Sequence, residues 1–156
     1  MAEIPDVLGR ITVLVGHYGS GKTEVAVNLA VRAAERLRAL QDAGTPAAEM
    51  PYEKVALCDL DIANPYFRSR EKSGLFEKLG IDLVSNAFEQ DITEDLPAVS
   101  ARINAPIQNP RCRTFLDVGG DQGGARVLIQ FREGLLGPDS VMACVINANR
   151  PETSDL

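Results

Sequence analysis

Residues 11–30 read ITVLVGHYGSGKTEVAVNLA, and this stretch decides the fold. Its first part, 11–16, is apolar and rich in β-branched side chains, which predicts a buried strand. From Lys22 to Leu40 apolar residues recur at spacings of three and four, which predicts an amphipathic helix. Between the two, residues 16–23 match the pattern GxxxxGK[ST] at every fixed position. A strand, a glycine-rich turn and a helix in this order predict a phosphate-binding loop.

The residue types in this loop suit a bound phosphate. Glycine lets the chain turn so that successive N–H groups point at phosphate oxygens, and the start of the helix adds positive potential. We expect Lys22 to contact the β- and γ-phosphates and the Thr23 hydroxyl to bind Mg²⁺. A turn that only joins a strand to a helix has no need of these two side chains. The predicted nucleotide-binding residues are Gly16, His17, Tyr18, Gly19, Ser20, Gly21, Lys22, Thr23 and Glu24.

The composition is that of one soluble domain spanning residues 1–156, with 45% apolar and 24% charged residues. A formal net charge of −6 disfavours direct binding to nucleic acid or to an anionic membrane. No apolar run approaches the ~20 residues of a membrane span, and the first residues lack the apolar core of a signal peptide. Cys58, Cys112 and Cys144 lack Cys-x-x-Cys spacing and are predicted to be reduced core residues of a cytoplasmic protein.

Further apolar segments alternate with helical ones along the chain. Strands are predicted at 54–60, 81–84, 113–118 and 141–146, a loop at 41–53, and helices at 64–72, 98–107 and 125–133. This alternation predicts an α/β fold, a mostly parallel sheet covered by helices on both faces. After Pro151 the chain begins like a helix that does not continue, so we expect a domain truncated at its C-terminal end.

A phosphate loop needs a carboxylate at the end of another strand to hold its metal ion. Asp117 lies near the end of the predicted strand 113–118, where a side chain points into the ligand crevice of a parallel sheet. We expect it to hold Mg²⁺ through water; capping of the next helix is the structural alternative. The glycine-rich stretch 119–124 behind it is predicted to move when a γ-phosphate binds and leaves, and a tight turn is the alternative there.

A second candidate site is Asp59-Leu60-Asp61, at the end of the strand 54–60. Alternation with a period of two places both carboxylates on the same side of the strand end. One is suited to the metal shell and the other to orienting the attacking water, with helix capping by Asp61 as the alternative. Arg68 and Arg70 form either an anion-binding patch or a solvated helix face. The single histidine, His17, is either a phosphate contact or a solvent-facing loop residue.

The segment GHYGSGKTEVAVNLA, 16–30, resembles the phosphate loop and first helix of the MinD/ParA ATPases, the CobQ/CobB/MinD/ParA class of P-loop NTPases. The resemblance implies that Asp59 and Asp61 are switch I aspartates and that Asp117 is the Walker B aspartate. It also implies that Asp121 acts on the attacking water. It extends from residue 11 to the C-terminus in four short blocks, the last at 149–154.

One position departs from this family. Most members carry a second lysine early in the loop that reaches across an ATP-sandwiched dimer, and here His17 stands in that place. A histidine is shorter than a lysine and lacks its permanent charge, so it does not replace a charge-assisted contact with phosphate. We therefore expect a monomer with or without ATP.

The sequence thus predicts a Mg²⁺-dependent ATP-binding protein, a slow ATPase of the MinD/ParA class that acts as a nucleotide switch. An ATP-dependent phosphotransferase or ligase on the same fold, and a nucleotide-binding module without turnover, stay open as alternatives. No protein partner is identified. The predicted catalytic residues are Lys22, Asp61 and Asp121, and the predicted metal residues are Thr23, Asp59 and Asp117.

Overall fold

The computed structural model describes residues 9–60, 70–85 and 96–149, which build an α/β fold around a sheet whose described strands all pair in parallel. The sheet order is β3-β2-β4-β1-β5. The strands are β1 (Ile11–Val15), β2 (Lys54–Leu60), β3 (Ile81–Ser85), β4 (Cys112–Val118) and β5 (Ser140–Cys144). The predicted α/β class with a parallel sheet is confirmed.

The helices connect consecutive strands and cover both faces of the sheet. They are α1 (Lys22–Asp42), α2 (Arg70–Lys78), α3 (Leu96–Gln108), α4 (Gln122–Gln130) and α5 (Arg132–Leu135), with a short 3₁₀ turn at Ala47–Glu49. Gly44 follows the end of α1 with φ 70°, the left-handed conformation that commonly terminates helices. None of the described helices combines the length and the apolar character that a membrane crossing requires.

The core is divided by the sheet into two layers. On one face Leu14 and Phe115 pack with Ala26 and Leu29 of α1. On the other face Val13 packs with Ile103 and Ile107 of α3, Val127 of α4, and Phe131, which follows α4. Neighbouring residues of β1 thus point to opposite faces, as strand geometry dictates. Burial of a side chain as large as Leu14 or Phe115 stabilises the fold by about 1.5–3 kcal/mol.

The sheet order creates a crevice between β1 and β4. These strands are neighbours, but α1 leaves β1 over one face toward β2, while α4 leaves β4 over the other face. In α/β sheets, ligands bind at the carboxyl ends of two neighbouring parallel strands whose connections diverge in this way. The fold therefore directs the segment after β1 and the residues at the end of β4 toward one crevice.

The predicted helix 125–133 is wrong at both ends. The structure has two helices there, because α4 already begins at Gln122 and ends before Phe131, and α5 follows. The early start has a local cause, since the Asp121 carboxylate accepts a hydrogen bond from the backbone N–H of Gly124 at 2.9 Å and caps the helix. In the glycine-rich stretch 119–124, residues 122–124 are accordingly helical. Residues 64–69 of the predicted helix 64–72 lie outside the described residues.

The cysteine prediction holds for two of the three residues. Cys58 and Cys112 are buried, and burial raises the pKa of both thiols. The prediction for Cys144 is wrong, because this residue is exposed. It lies at the end of β5, the edge strand of the described sheet, where Met142 on the same side of the strand is 62% exposed. An apolar strand at a sheet edge is not covered on both faces, which the sequence alone does not reveal.

Candidate functional site

The segment between β1 and α1 forms a turn that requires glycine. Gly16, Gly19 and Gly21 have φ values of 145°, 75° and 90°, a region that residues with a side chain rarely adopt. The turn is closed by a hydrogen bond from the backbone N–H of Ser20 to the carbonyl of His17 at 3.1 Å. Gly21 is the residue immediately before α1. The backbone N–H groups at the start of this 21-residue helix therefore face the crevice end of the sheet.

Lys22 is the first residue of α1, and its side chain is folded back over the turn. It is 6% exposed, and its Nζ donates to the carbonyl oxygen of His17 at 3.0 Å. An ammonium group removed from water carries a desolvation cost that a nearby anion offsets. The lysine is thus held at the loop in a position that favours an anionic ligand.

Thr23 connects the loop to the neighbouring strand. Its hydroxyl donates to Asp117 Oδ2 at 2.5 Å, the short distance typical of a hydrogen bond to a carboxylate. Asp117 lies on β4, where it is in register with Leu14 of β1, and it is 1% exposed. The structure therefore brings together two of the predicted metal residues, which are 94 positions apart in the chain.

Asp59, the third predicted metal residue, lies beside Asp117. The two residues are in register across β2 and β4, and each is 1% exposed. Asp59 and Asp117 follow Leu57 and Phe115 by two positions, so both lie on the face of the sheet that α1 covers. Adjacent strands are about 4.8 Å apart, so these two carboxyl groups repel each other if both are ionised, and a bound cation would offset that repulsion.

These donors suit magnesium better than zinc. Within residues 9–60, 70–85 and 96–149 no group of three or more His, Cys, Asp or Glu side chains is arranged to hold a metal ion. Zinc sites need three or four such ligands, whereas Mg²⁺ binds through one or two carboxylates and completes its shell with water and phosphate oxygens. The set Thr23, Asp59 and Asp117 fits the second description.

The segment after β4 touches the loop after β1, a contact that sequence reasoning missed. A Cβ atom on Gly120 would lie 2.7 Å from Gly16 O and 2.8 Å from Tyr18 N, so the two backbones are in contact. Gly16 also lies against the residue that follows β5, since a Cβ there would meet the carbonyl oxygen of Val145. In the sequence, the signal for this contact was the pair Gly119-Gly120, which follows Asp117 and Val118. A close approach of two backbones is one of the few reasons for glycine at such a position.

The other predicted site residues are more peripheral. Asp121 is exposed and caps α4, so the structure does not place it beside the buried carboxylates. His17 is exposed, with Nδ1 3.1 Å from the carbonyl of Tyr18, and Tyr18 is 69% exposed. Glu24 is exposed in the first turn of α1. Asp61, Arg68 and the side chain of Arg70 lie outside the described part of the structure.

The fold and the site together define an α/β protein with a glycine turn, a buried lysine and a pair of buried carboxylates at one crevice of a parallel sheet. Searches against protein-family models, curated proteins and solved structures each gave no match.

Proposed function

We propose that this chain is a Mg²⁺-dependent ATP-binding protein with a P-loop NTPase fold, a slow ATPase of the MinD/ParA class that acts as a nucleotide switch. The observation that carries the proposal is the hydrogen bond of 2.5 Å between the Thr23 hydroxyl and Asp117. It joins the last residue of the phosphate-loop pattern to the strand-end carboxylate that the pattern requires. A turn that only connects a strand to a helix does not require a hydrogen bond between these two side chains.

In the proposed complex the backbone N–H groups of residues 19–23 and the Lys22 ammonium bind the phosphate oxygens. Thr23 and Asp117 hold the metal ion, with Asp59 close enough to act directly or through water. When bound, Mg²⁺ neutralises the charge that develops on the transferred phosphoryl group. The contribution of the protein is positioning and charge neutralisation in a water-poor crevice.

The water-orienting group is Asp61 or Asp121. In the structure the Asp121 carboxylate is engaged by the N–H of Gly124 at 2.9 Å, so its use in hydrolysis requires exchange of that bond for one to water. Because Gly120 touches the loop backbone, a change in the loop is transmitted to this segment. This mechanical link supports a switch function.

The cap at Asp121 also favours one competing reading, a nucleotide-binding module without turnover. If the Asp121 carboxylate serves only as a helix cap, Asp61 is the one remaining candidate for orienting the attacking water. A slow ATPase and a module without turnover would both bind nucleotide, and they differ only in whether phosphate is released.

Release of inorganic phosphate from MgATP tests the proposal. We expect slow release by the wild type, and lost release with retained binding for Asp61→Asn or Asp121→Asn. Asp82→Asn, which changes an exposed carboxylate on β3, is the matched control and should hydrolyse like the wild type. Release that requires an added small-molecule acceptor would favour a phosphotransferase, and binding without any release would favour the module.

Light scattering with a non-hydrolysable ATP analogue tests the oligomeric part of the proposal. We expect a monomer in both states, because His17 does not supply the cation of a sandwiched dimer. A doubling of mass with nucleotide would contradict this.

A further inference from the structure

The segment from α4 to Leu136 carries a row of exposed side chains on its solvent side. The row consists of Arg126, Ile129, Arg132 and Leu136, and all four are exposed. They are three, three and four positions apart, so a cation alternates with an apolar side chain along one side of a helix. Ile129 is 61% exposed and Leu136 is 83% exposed, although both side chains are large and apolar. These four residues are called the outer stripe.

The outer stripe follows one helical path, although α4 and α5 are separate helices. The break is bridged by hydrogen bonds of the helical kind, from the N–H of Phe131 to Leu128 O at 3.0 Å and from the N–H of Leu136 to Arg132 O at 3.1 Å. The opposite side of the same segment holds Val127 and Phe131, which are buried in the core. The segment therefore has an apolar side toward the sheet and a second, partly apolar side toward solvent, where an ordinary surface helix is polar.

We propose that the outer stripe is a docking surface for an acidic segment of a partner protein that also carries apolar side chains, and that this docking is coupled to nucleotide binding. The coupling rests on the proposed function, whereas the docking surface does not. Arg126 and Arg132 suit carboxylates, because a guanidinium group binds a carboxylate through two parallel hydrogen bonds. Ile129 and Leu136 suit apolar side chains at helical spacing on the partner segment.

Charge and size select this partner over the alternatives. The chain has a net charge of −6, but α4 contains no acidic residue and the segment 122–136 contains one, Glu133. Screening at physiological salt limits charge effects to about 8 Å, so a slender segment meets mainly the local cations. A flat anionic membrane or a second copy of this chain would also approach the rest of an acidic surface. The outer stripe therefore fits an acidic segment best.

The outer stripe is connected to the phosphate loop through the start of α4. The Asp121 carboxylate caps this helix, and the preceding residue, Gly120, lies against the backbone of Gly16 and Tyr18. A shift of the loop on nucleotide binding would therefore move the amino end of the helix that carries the outer stripe. Coupling between two sites is reciprocal, so nucleotide and partner segment would change each other's affinity by the same factor.

Fluorescence anisotropy tests the docking surface with a short labelled helical peptide in which glutamate and leucine alternate along one face. We expect the wild type to bind this peptide. Arg126→Glu combined with Arg132→Glu should bind it about tenfold more weakly, because two attractive charge pairs become repulsive. Ile129→Ser should weaken binding about fivefold through the loss of apolar burial. Glu133→Gln should strengthen binding, because it removes the acidic side chain nearest in sequence to the outer stripe.

The chain offers matched controls on α2, whose Phe76 packs on the opposite face of the sheet from α4. Lys78 is an exposed cation there, and Leu75 is an apolar side chain that is 56% exposed. Lys78→Glu and Leu75→Ser should bind the peptide like the wild type. All these variants should unfold at nearly the same urea concentration, because each changes an exposed side chain. The same peptide with lysine in place of glutamate should not bind.

The docking surface is overturned by no binding of the acidic peptide, by equal binding of the lysine peptide, or by equal binding to the double arginine variant. Binding of phosphatidylserine vesicles in place of the peptide, lost in the double variant, would also overturn it and would indicate a lipid surface.

The coupling is tested by repeating both titrations with the other ligand present. We expect MgATP to change the affinity for the peptide severalfold, and the peptide to change the affinity for MgATP by the same factor. Binding of both ligands without mutual effect would overturn the coupling and leave the proposed function standing. A wild type that does not bind MgATP would overturn the proposed function and the coupling, and the peptide titration alone would then decide the docking surface.

Discussion

A methyl group at position 120 should disturb the site while leaving the rest of the fold intact. In Gly120→Ala the new Cβ would lie 2.7 Å from Gly16 O, 2.8 Å from Tyr18 N and 3.1 Å from His17 C. All three atoms belong to the backbone, so no flexible side chain can rotate away, and the loop itself must move. Forcing extra volume into a well-packed position typically costs about 1–3 kcal/mol.

We therefore expect Gly120→Ala to lower the free energy of unfolding in urea by about 1–3 kcal/mol and to weaken MgATP binding, because the displaced backbone is the one that binds phosphate. Gly74→Ala is the matched control. Gly74 lies in α2 with no atom within 4 Å of its added Cβ, so alanine should stabilise the helix by about 0.5–1 kcal/mol and leave binding unchanged. Equal stability and equal affinity of Gly120→Ala and the wild type would refute the contact between the two segments.

The remaining predictions concern a metal ligand, an ion pair and a thiol. Asp117→Asn should reduce the affinity for ATP in Mg²⁺ about tenfold and leave the affinity without Mg²⁺ nearly unchanged, as measured by calorimetry. The Arg10 guanidinium holds the pKa of Asp139 below its usual range, so this pair stabilises the fold above the ordinary carboxyl pKa and loses that effect as pH falls through the lowered value. Asp139→Asn should cost about 0.5 kcal/mol at pH 7 in urea unfolding and nothing in strong acid. Cys144 should react with a thiol reagent in the native state before the two buried cysteines, as followed by mass spectrometry, and a Cys144→Ser variant that reacts equally fast would contradict this.

Most of the sheet could be predicted because its inner strands, β1, β2 and β4, are buried on both faces. Residues 54–60 form a strand with the predicted bounds, and the first strand differs by a single residue at Gly16. A short apolar run that is rich in β-branched residues and bounded by turn residues is typical of such a buried strand. Element order along the chain then fixes the parallel arrangement, and it placed the loop and Asp117 at the same end of the sheet.

The errors arose where a tertiary or capping interaction decided the outcome. The glycines at 123 and 124 suggested a loop, but the cap from Asp121 outweighed their low helix propensity. Cys144 stood in an apolar run like the buried cysteines, and its exposure depends on the edge position of β5. Neither the sheet order nor a cap bond is encoded in hydrophobic periodicity.

The residues of the candidate site could likewise be predicted only in part. The loop residues were found from a local pattern, and the role of Asp117 followed from its strand-end position. The contact of Gly120 with the loop depends on the distance between two segments that are far apart in the chain. No spacing in the sequence reports such distances.

Binding of MgATP to the wild type and to Lys22→Ala tests the central claim most directly. Both proteins are first shown to be folded by circular dichroism, and Lys54→Ala, which alters an exposed lysine at the amino end of β2, is the control. We expect calorimetry to detect MgATP binding to the wild type and to Lys54→Ala, and we expect binding to folded Lys22→Ala to be lost or greatly weakened. Unchanged affinity in folded Lys22→Ala, or no binding by the wild type, would contradict the central claim.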